Sequence, residues 1–213
     1  MWTPIANSLL VAMVQWVRFG ELPPASRYPR IENNSLVPSH LSNGEINPDA
    51  WRAIPGYSHP KAMYQVGHVD FGDEFLSAGI VARQAMFTTQ WYQALAPAVN
   101  RDNNDLASST ILPPLTAVPL GTFVPWNLRR TEIGADTELA RLTGGYIPFA
   151  RTPDEAQINN DPRPALDKRY ANSQQYLLEY ERATDDLINQ GYLLPEFKTR
   201  FMELAEQNQE VLQ

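Results

Sequence analysis

Proline placement most constrains what this chain can fold into. Proline fixes φ, cannot donate a backbone hydrogen bond, and pushes the residue before it out of the helical region. Of the 18 prolines, seven fall between Pro23 and Pro60 and nine between Pro97 and Pro164. Long helices are therefore confined to the two ends, and the middle must be built from short pieces and turns. The pattern predicts an α+β chain forming a single unit over residues 1–213. Its parts are an apolar N-terminal helix over 1–20, a wrapping loop over 21–60, a region of short antiparallel strands or a hairpin over 61–150, and a helical end over 151–213.

The N-terminal run "IANSLLVAMVQWVRFG" places Ile5, Leu9, Ala12, Met13, Trp16 and Val17 at helical spacing, with Gly20 as its stop. Leu10, Val11 and Val14 widen the apolar stripe, so the helix expects cover on more than one side. Ile5, Leu9, Met13, Trp16 and Val17 are accordingly the candidate contact residues for a partner surface or for self-association. The run lacks the basic leader of a signal peptide. It is also shorter than the ~20 residues a membrane span needs, and it contains Asn7, Ser8, Gln15 and Arg18. A soluble chain with no membrane partner is expected.

Charge narrows the partners further. The net charge is −7 and the pI about 5.0, and the only tight basic pair is Arg129-Arg130. Phosphate backbones would be repelled, so no nucleic-acid partner is expected. The absence of cysteine rules out disulfides, thiolate metal sites and cysteine nucleophiles.

In the middle, "MYQVGHVDF" alternates as a strand does, and "NRDNND" between "WYQALAPAV" and "LASSTIL" suits a hairpin connection. "TAVPLGTFVPW" reads as an edge or bulged strand, since Pro119 and Pro125 cannot donate to a ladder. The helical end is better marked. Thr152, Pro153 and Glu155 form a capping-box start, and "DPRPALDKRY" starts a second short helix. A third helix is capped by Asn172 or Ser173, buries Tyr176, Leu177, Tyr180, Ala183, Leu187 and Ile188, and ends at Gly191. A fourth enters through Pro195 with a stripe of Phe197, Phe201, Leu204 and Ala205, closing an αα-hairpin around "GYLLP".

Catalytic signatures are scarce. No serine sits in a G-x-S-x-G elbow; Ser77 has Gly79 after it but no glycine before it. His68 and Asp70, two apart on a strand, point the same way and permit a pair, though a partly buried structural histidine is the plainer reading. Three scattered histidines, His40, His59 and His68, supply no metal spacing, and no metal or cofactor is expected. Asp154-Glu155 is explained by a helix start and Asp185-Asp186 by a solvated helix face. "NRDNND" lacks the glycine and terminal glutamate of a calcium loop, and Gly144-Gly145 matches no phosphate-binding motif. One cluster remains. Trp126, Asn127, Arg129 and Tyr146 place aromatic and polar groups beside turns and are the candidate binding residues, against the plainer reading that Trp126 and Tyr146 are core residues with satisfied polar tips.

The segments "WVRFGELPPASRYPRI", "AVPLGTFVPWNLRR", "LTGGYIPFARTPDEA", "DPRPALDKRY" and "YLLP" resemble, in order, the C-terminal part of the bacterial family described as alpha/beta hydrolase domain proteins. The resemblance runs from about Ile5 to about Leu204, with "NRDNND" standing where a D-x-D-G-N turn is expected. It implies that a hydrolase sheet bearing the serine elbow and catalytic histidine precedes the segment resembling residues 5–20, and that the apolar helix packs on it. No catalytic residue of the family then carries over to a position here. The chain is expected to be a fragment, a separate C-terminal portion or a decayed gene product, with ester or acyl hydrolysis needing a catalytic half. The alternative is a standalone small-molecule binding or protein interaction module.

Overall fold

The computed structural model describes residues 2–51, 54–60, 66–99, 109–141 and 143–212. Helix α1 (Trp2–Phe19) leads into a long segment holding β1 (Leu36–Pro38). Then come β2 (Gly67–Asp70), α2 (Phe75–Ala78), β3 (Met86–Trp91), β4 (Leu95–Pro97) and α3 (Pro114–Ala117). The strands β5 (Gly121–Val124), β6 (Asn127–Leu128), β7 (Leu139–Arg141) and β8 (Gly145–Pro148) follow, and then α4 (Pro153–Ile158), α5 (Leu166–Arg169), α6 (Ser173–Asn189) and α7 (Lys198–Asn208). The fold class is α+β. Among the described residues the strands pair only as antiparallel two-stranded ribbons, β1 with β4, β2 with β3, β5 with β8 and β6 with β7.

The main core belongs to the helical end. α6 buries Tyr176, Tyr180, Thr184 and Leu187, and α7 buries Phe201 and Ala205 against them. Val118 and Leu120 ahead of β5, Phe149, Leu166, Tyr170 and Ile5 complete it. Helix starts are set by local chemistry. Thr152 Oγ1 accepts the Glu155 N–H at 3.2 Å, while the Glu155 carboxylate accepts the Arg151 N–H at 2.7 Å. Asn172 Oδ1 likewise accepts the Gln175 N–H at 2.9 Å, and Gln175 Oε1 accepts the Ala171 N–H at 2.7 Å. Both are capping boxes whose returning side chain reaches one residue beyond the cap. Gly191 ends the α6 segment at φ +79, where a residue with a Cβ is strained. Asp185 and Asp186 lie on the solvated side of α6, where Lys198 Nζ of α7 comes within 2.7 Å of Asp185 and 2.9 Å of Glu181.

α1 is only half embraced. Pro4, Ile5 and Ser8 are buried; Ser8 Oγ donates to Pro4 O at 2.8 Å and accepts the Leu194 N–H at 2.9 Å. Beyond the half-buried Leu9, the helix leaves Leu10, Met13, Val14, Trp16, Val17 and Phe19 in the open. The proline-rich segment that follows crosses the α6–α7 turn. Tyr192 donates to Ala25 O, Arg27 bonds Gln190 Oε1 at 2.7 Å, and Pro24 lies over Gly191.

Two strand assignments shift. Leu36–Pro38, inside the stretch read as loop, pairs with Leu95–Pro97, so the described part of "WYQALAPAV" finds its partner some sixty residues upstream, not across "NRDNND". That polar tip, residues 100–105, lies outside the described residues. Strand β2 is present, and its partner β3 has every residue exposed and carried no clear alternation.

One buried charge joins the ribbon to the helices. Arg163 is 5% exposed. It donates to Asp161 Oδ1 at 2.8 Å and Oδ2 at 2.6 Å, to Thr122 Oγ1 at 3.1 Å, to Ile147 O at 3.0 Å and to Pro148 O at 3.1 Å. All five guanidinium donors are thereby used. Burial would raise the Asp161 pKa, but the hydrogen bonds and charge of Arg163 outweigh it and hold the carboxyl below its usual range. Arg163→Met strands a buried carboxylate and is expected to cost about 3–5 kcal/mol in urea unfolding. The Asp161 contribution is complete above the ordinary carboxylate pKa and is lost as pH falls through the lowered one, so Asp161→Asn should flatten the stability profile below about pH 4. The tyrosines give a second contrast. The Tyr170 hydroxyl donates to Pro119 O at 2.9 Å, whereas the buried Tyr180 hydroxyl has no partner. Tyr170→Phe should lose about 1 kcal/mol, and Tyr180→Phe should be neutral or stabilising by about the same amount.

Candidate functional site

The site is built on the β5–β8 ribbon. Phe123 stands opposite Tyr146, and Thr122 opposite Ile147. Successive side chains alternate faces, so Thr122, Val124 and Ile147 turn inward while Phe123 and Tyr146 form an outward pair, rings 5.1 Å apart. The strands approach closely because of glycine. A Cβ on Gly144 would sit 1.9 Å from the Val124 carbonyl oxygen, and one on Gly121 would sit 2.5 Å from Ile147 O. Gly144 thus serves close backbone packing, while Gly145 faces only the side chains of Asn127 and Val124.

Against the inner face lies an aromatic cluster. Trp126 stacks on Tyr57 with ring centres 5.6 Å apart, and lies 5.4 Å from Trp51 and 4.8 Å from His59. Trp51 lies 5.2 Å from Tyr57 and meets the edge of His59 at 5.5 Å. Ile54, Val124, Ile46 and Ile147 pack around these rings. The Tyr57 hydroxyl donates to Trp126 O at 2.8 Å and accepts the Trp126 N–H at 3.2 Å; Trp126 Nε1 donates to Ser58 O at 3.1 Å. Burial pushes the Tyr57 pKa up to about 12, although the Trp126 backbone bond opposes the rise. Burial, helped by the charge of His40, pushes His59 down to about 4. Trp51 Nε1 and both ring nitrogens of His59 are buried and have no hydrogen-bond partner among the described residues.

The residues singled out in the sequence are not gathered in one place. Trp126 belongs to the inner cluster and Tyr146 to the outer face of the ribbon. Asn127 uses its amide on Thr143 O at 2.7 Å, tying the start of β6 to the segment between β7 and β8. Arg129 bonds through its backbone N–H to Glu138 O at 3.0 Å, with its side chain exposed. Trp51, Tyr57 and His59 were missed, although an aromatic-dense loop, "WRAIPGYSHP", was the available signal.

Nucleophile chemistry finds little here. His68 stacks on Tyr92 at 3.8 Å, and Asp70 pairs instead with Arg83 at 3.2 Å and accepts the Gly72 N–H. Ser77 is exposed on α2 and bonds only back to Glu74 O. Ser39 Oγ lies 2.9 Å from Nδ1 of its chain neighbour His40. No group of described acidic and histidine side chains has the arrangement of a metal site, and no helix among them is long and apolar enough to cross a membrane. A half-open groove of about 390 Å³ lies between Pro4 and α7, lined by Arg200, Phe201, Glu203, Leu204 and Gln207.

A family model described as alpha/beta hydrolase domain matches residues 1–203. The chain belongs to the alpha/beta hydrolase domain family, and a hydrolase-type function follows from that membership. No curated protein and no solved structure matches the chain.

Gly144→Ala tests the ribbon that carries Trp126. The added methyl collides with backbone and cannot be relieved by a side-chain rotation, so a loss of about 2–4 kcal/mol is expected on thermal unfolding. Gly145→Ala, whose added Cβ would lie 3.3 Å from its nearest neighbours, should cost clearly less.

Proposed function

We propose that this chain is the C-terminal portion of an alpha/beta-hydrolase-type protein. It shapes the surroundings of an ester or acyl substrate, while the nucleophile and catalytic histidine come from polypeptide that docks on α1, in cis or in trans. The observation that carries this reading is the apolar face of α1. Met13, Val14, Trp16, Val17 and Phe19 lie between 41% and 77% exposed on a helix that buries Pro4, Ile5 and Ser8 near its start. Isolated apolar side chains on a surface need no explanation, but a contiguous stripe along one helix is a mark of an interaction surface. Of the expected contact residues, Ile5 is committed to the chain's own core and Leu9 packs on it, which leaves Met13, Trp16 and Val17 for a catalytic half or for self-association. Family membership supports the hydrolase side of the reading. The lack of a serine–histidine–acid convergence among the described residues supports the division of labour.

A standalone binding module is the second reading. What favours it is the Trp51–Tyr57–His59–Trp126 cluster, with its unpartnered polar atoms.

The test combines p-nitrophenyl ester hydrolysis with native mass and a hydrophobic dye. The isolated chain is expected to show no turnover above buffer and to bind dye or self-associate through α1. Replacing Met13 and Val17 with Asp should reduce both several-fold without lowering the unfolding midpoint, since both side chains already face water. Appreciable turnover by the isolated chain, or a monomer that binds no dye, would contradict the proposal.

A further inference from the structure

The 54–60 turn is held on the β5–β8 ribbon by rings, and one of those rings can take up a proton. His59 sits between Trp51 and Trp126 with ring centres 5.5 Å and 4.8 Å away. Its two nitrogens are buried and unpartnered. A neutral imidazole tolerates such a place at moderate cost, but an imidazolium there would be a charge with two unsatisfied donors. Nothing described offers it a counter-charge. Trp51, from the preceding loop, and Trp126, from the β5–β6 junction, are uncharged; His40 opposes a second positive charge; and Tyr57, the remaining titratable member, stays protonated at any ordinary pH. The turn's further attachments are Ile54, buried with Trp51 and Val124, the pair of hydrogen bonds between the Tyr57 hydroxyl and the Trp126 backbone, and the Trp126 indole on Ser58 O.

We propose that His59 is a pH-sensitive latch: proton uptake by its ring frees the 54–60 turn from the β5–β8 ribbon and uncovers Trp126. The sign follows from the direction of the shift. A histidine whose pKa is lowered in the closed form contributes its full stabilisation above its ordinary value near 6.5, and that contribution declines as pH falls from there toward about 4. Below that point the protonated ring no longer discriminates. The carboxylate of Asp161, with its lowered pKa, remains charged through this window, so the ribbon stays anchored to the helical end while the turn opens.

The experiment is an NMR titration of the His59 ring on the whole chain from pH 7.5 to 4, read together with amide exchange of 54–60 and tryptophan fluorescence. The ring is expected to titrate well below 6.5, and the closed-to-open ratio of the turn should fall by on the order of a hundredfold across the window in a one-proton step. His59→Phe, which keeps a ring but cannot be charged, should hold the turn closed to pH 4. His59→Gln, which keeps polarity without a titration in this range, should also lose the step. His40→Gln should move the His59 midpoint upward, because a repelling charge is removed. An ordinary His59 midpoint with unchanged exchange in wild type, or the same acid opening in both His59 variants, overturns the latch. The wild-type titration decides even where a variant folds poorly.

Discussion

The buried guanidinium of Arg163 is the constraint on which the architecture turns. A charge this deep survives only where all its donors find acceptors, and its five reach Asp161, Thr122 and the carbonyls of Ile147 and Pro148. These acceptors come from both strands of the β5–β8 ribbon and from the turn before α5. Phe149 receives the faces of Arg163 at 5.0 Å and Arg169 at 4.1 Å, adding a cation–π layer beneath the same junction. A two-stranded ribbon has little stability of its own. Fixed in this way to the helical end, it becomes a platform, and the position of Trp126 and the ring cluster follows from it.

Beyond that platform, packing is uneven. The helical end has a closed core of interlocking Tyr, Leu and Phe side chains around Tyr176 and Tyr180. Among the described residues the β2–β3 ribbon has none, and Phe87, Trp91, Tyr92 and Leu76 are exposed there. The exposed stripe of α1 adds to this imbalance. The catalytic half proposed above would cover that stripe, and membership of the alpha/beta hydrolase domain family supports the hydrolase side of that proposal. The ring cluster answers a separate question, namely how the platform's inner face is closed, and its histidine makes that closure dependent on protonation.

Elements governed by neighbours in sequence were legible. Thr152 and Asn172 announce their helices because a cap is a contact over three residues, and the Tyr176–Tyr180–Leu187 stripe needs only the helical period. The edge strand after Pro119 was legible for the same reason, since proline forbids a ladder bond wherever it falls. The pairing of Leu36–Pro38 with Leu95–Pro97 was hidden, as neither three-residue segment alternates long enough to declare a partner. Within "DPRPALDKRY", read only as a helix start, nothing marked Asp161 and Arg163 as buried, since their burial is set by β5 and β8, earlier in the chain. Trp126 and Tyr146 were grouped as one candidate site, yet Tyr146 pairs with Phe123 on the outer face of the β5–β8 ribbon while Trp126 joins the inner cluster.

By itself, the order of residues determined where helices begin and end, which parts could not hold long elements, and that no cysteine, basic stripe or serine elbow was at hand. These are local or compositional facts, and short-range sterics and hydrogen bonding suffice to impose them. Only the tertiary structure decided that Arg163 would be buried and fully bonded, that His59 would lie between two tryptophans, and that α1 would bury Ile5 while exposing Val17. Each of these depends on desolvation by residues distant in the chain, and desolvation is a property of the packed molecule that no window of sequence contains.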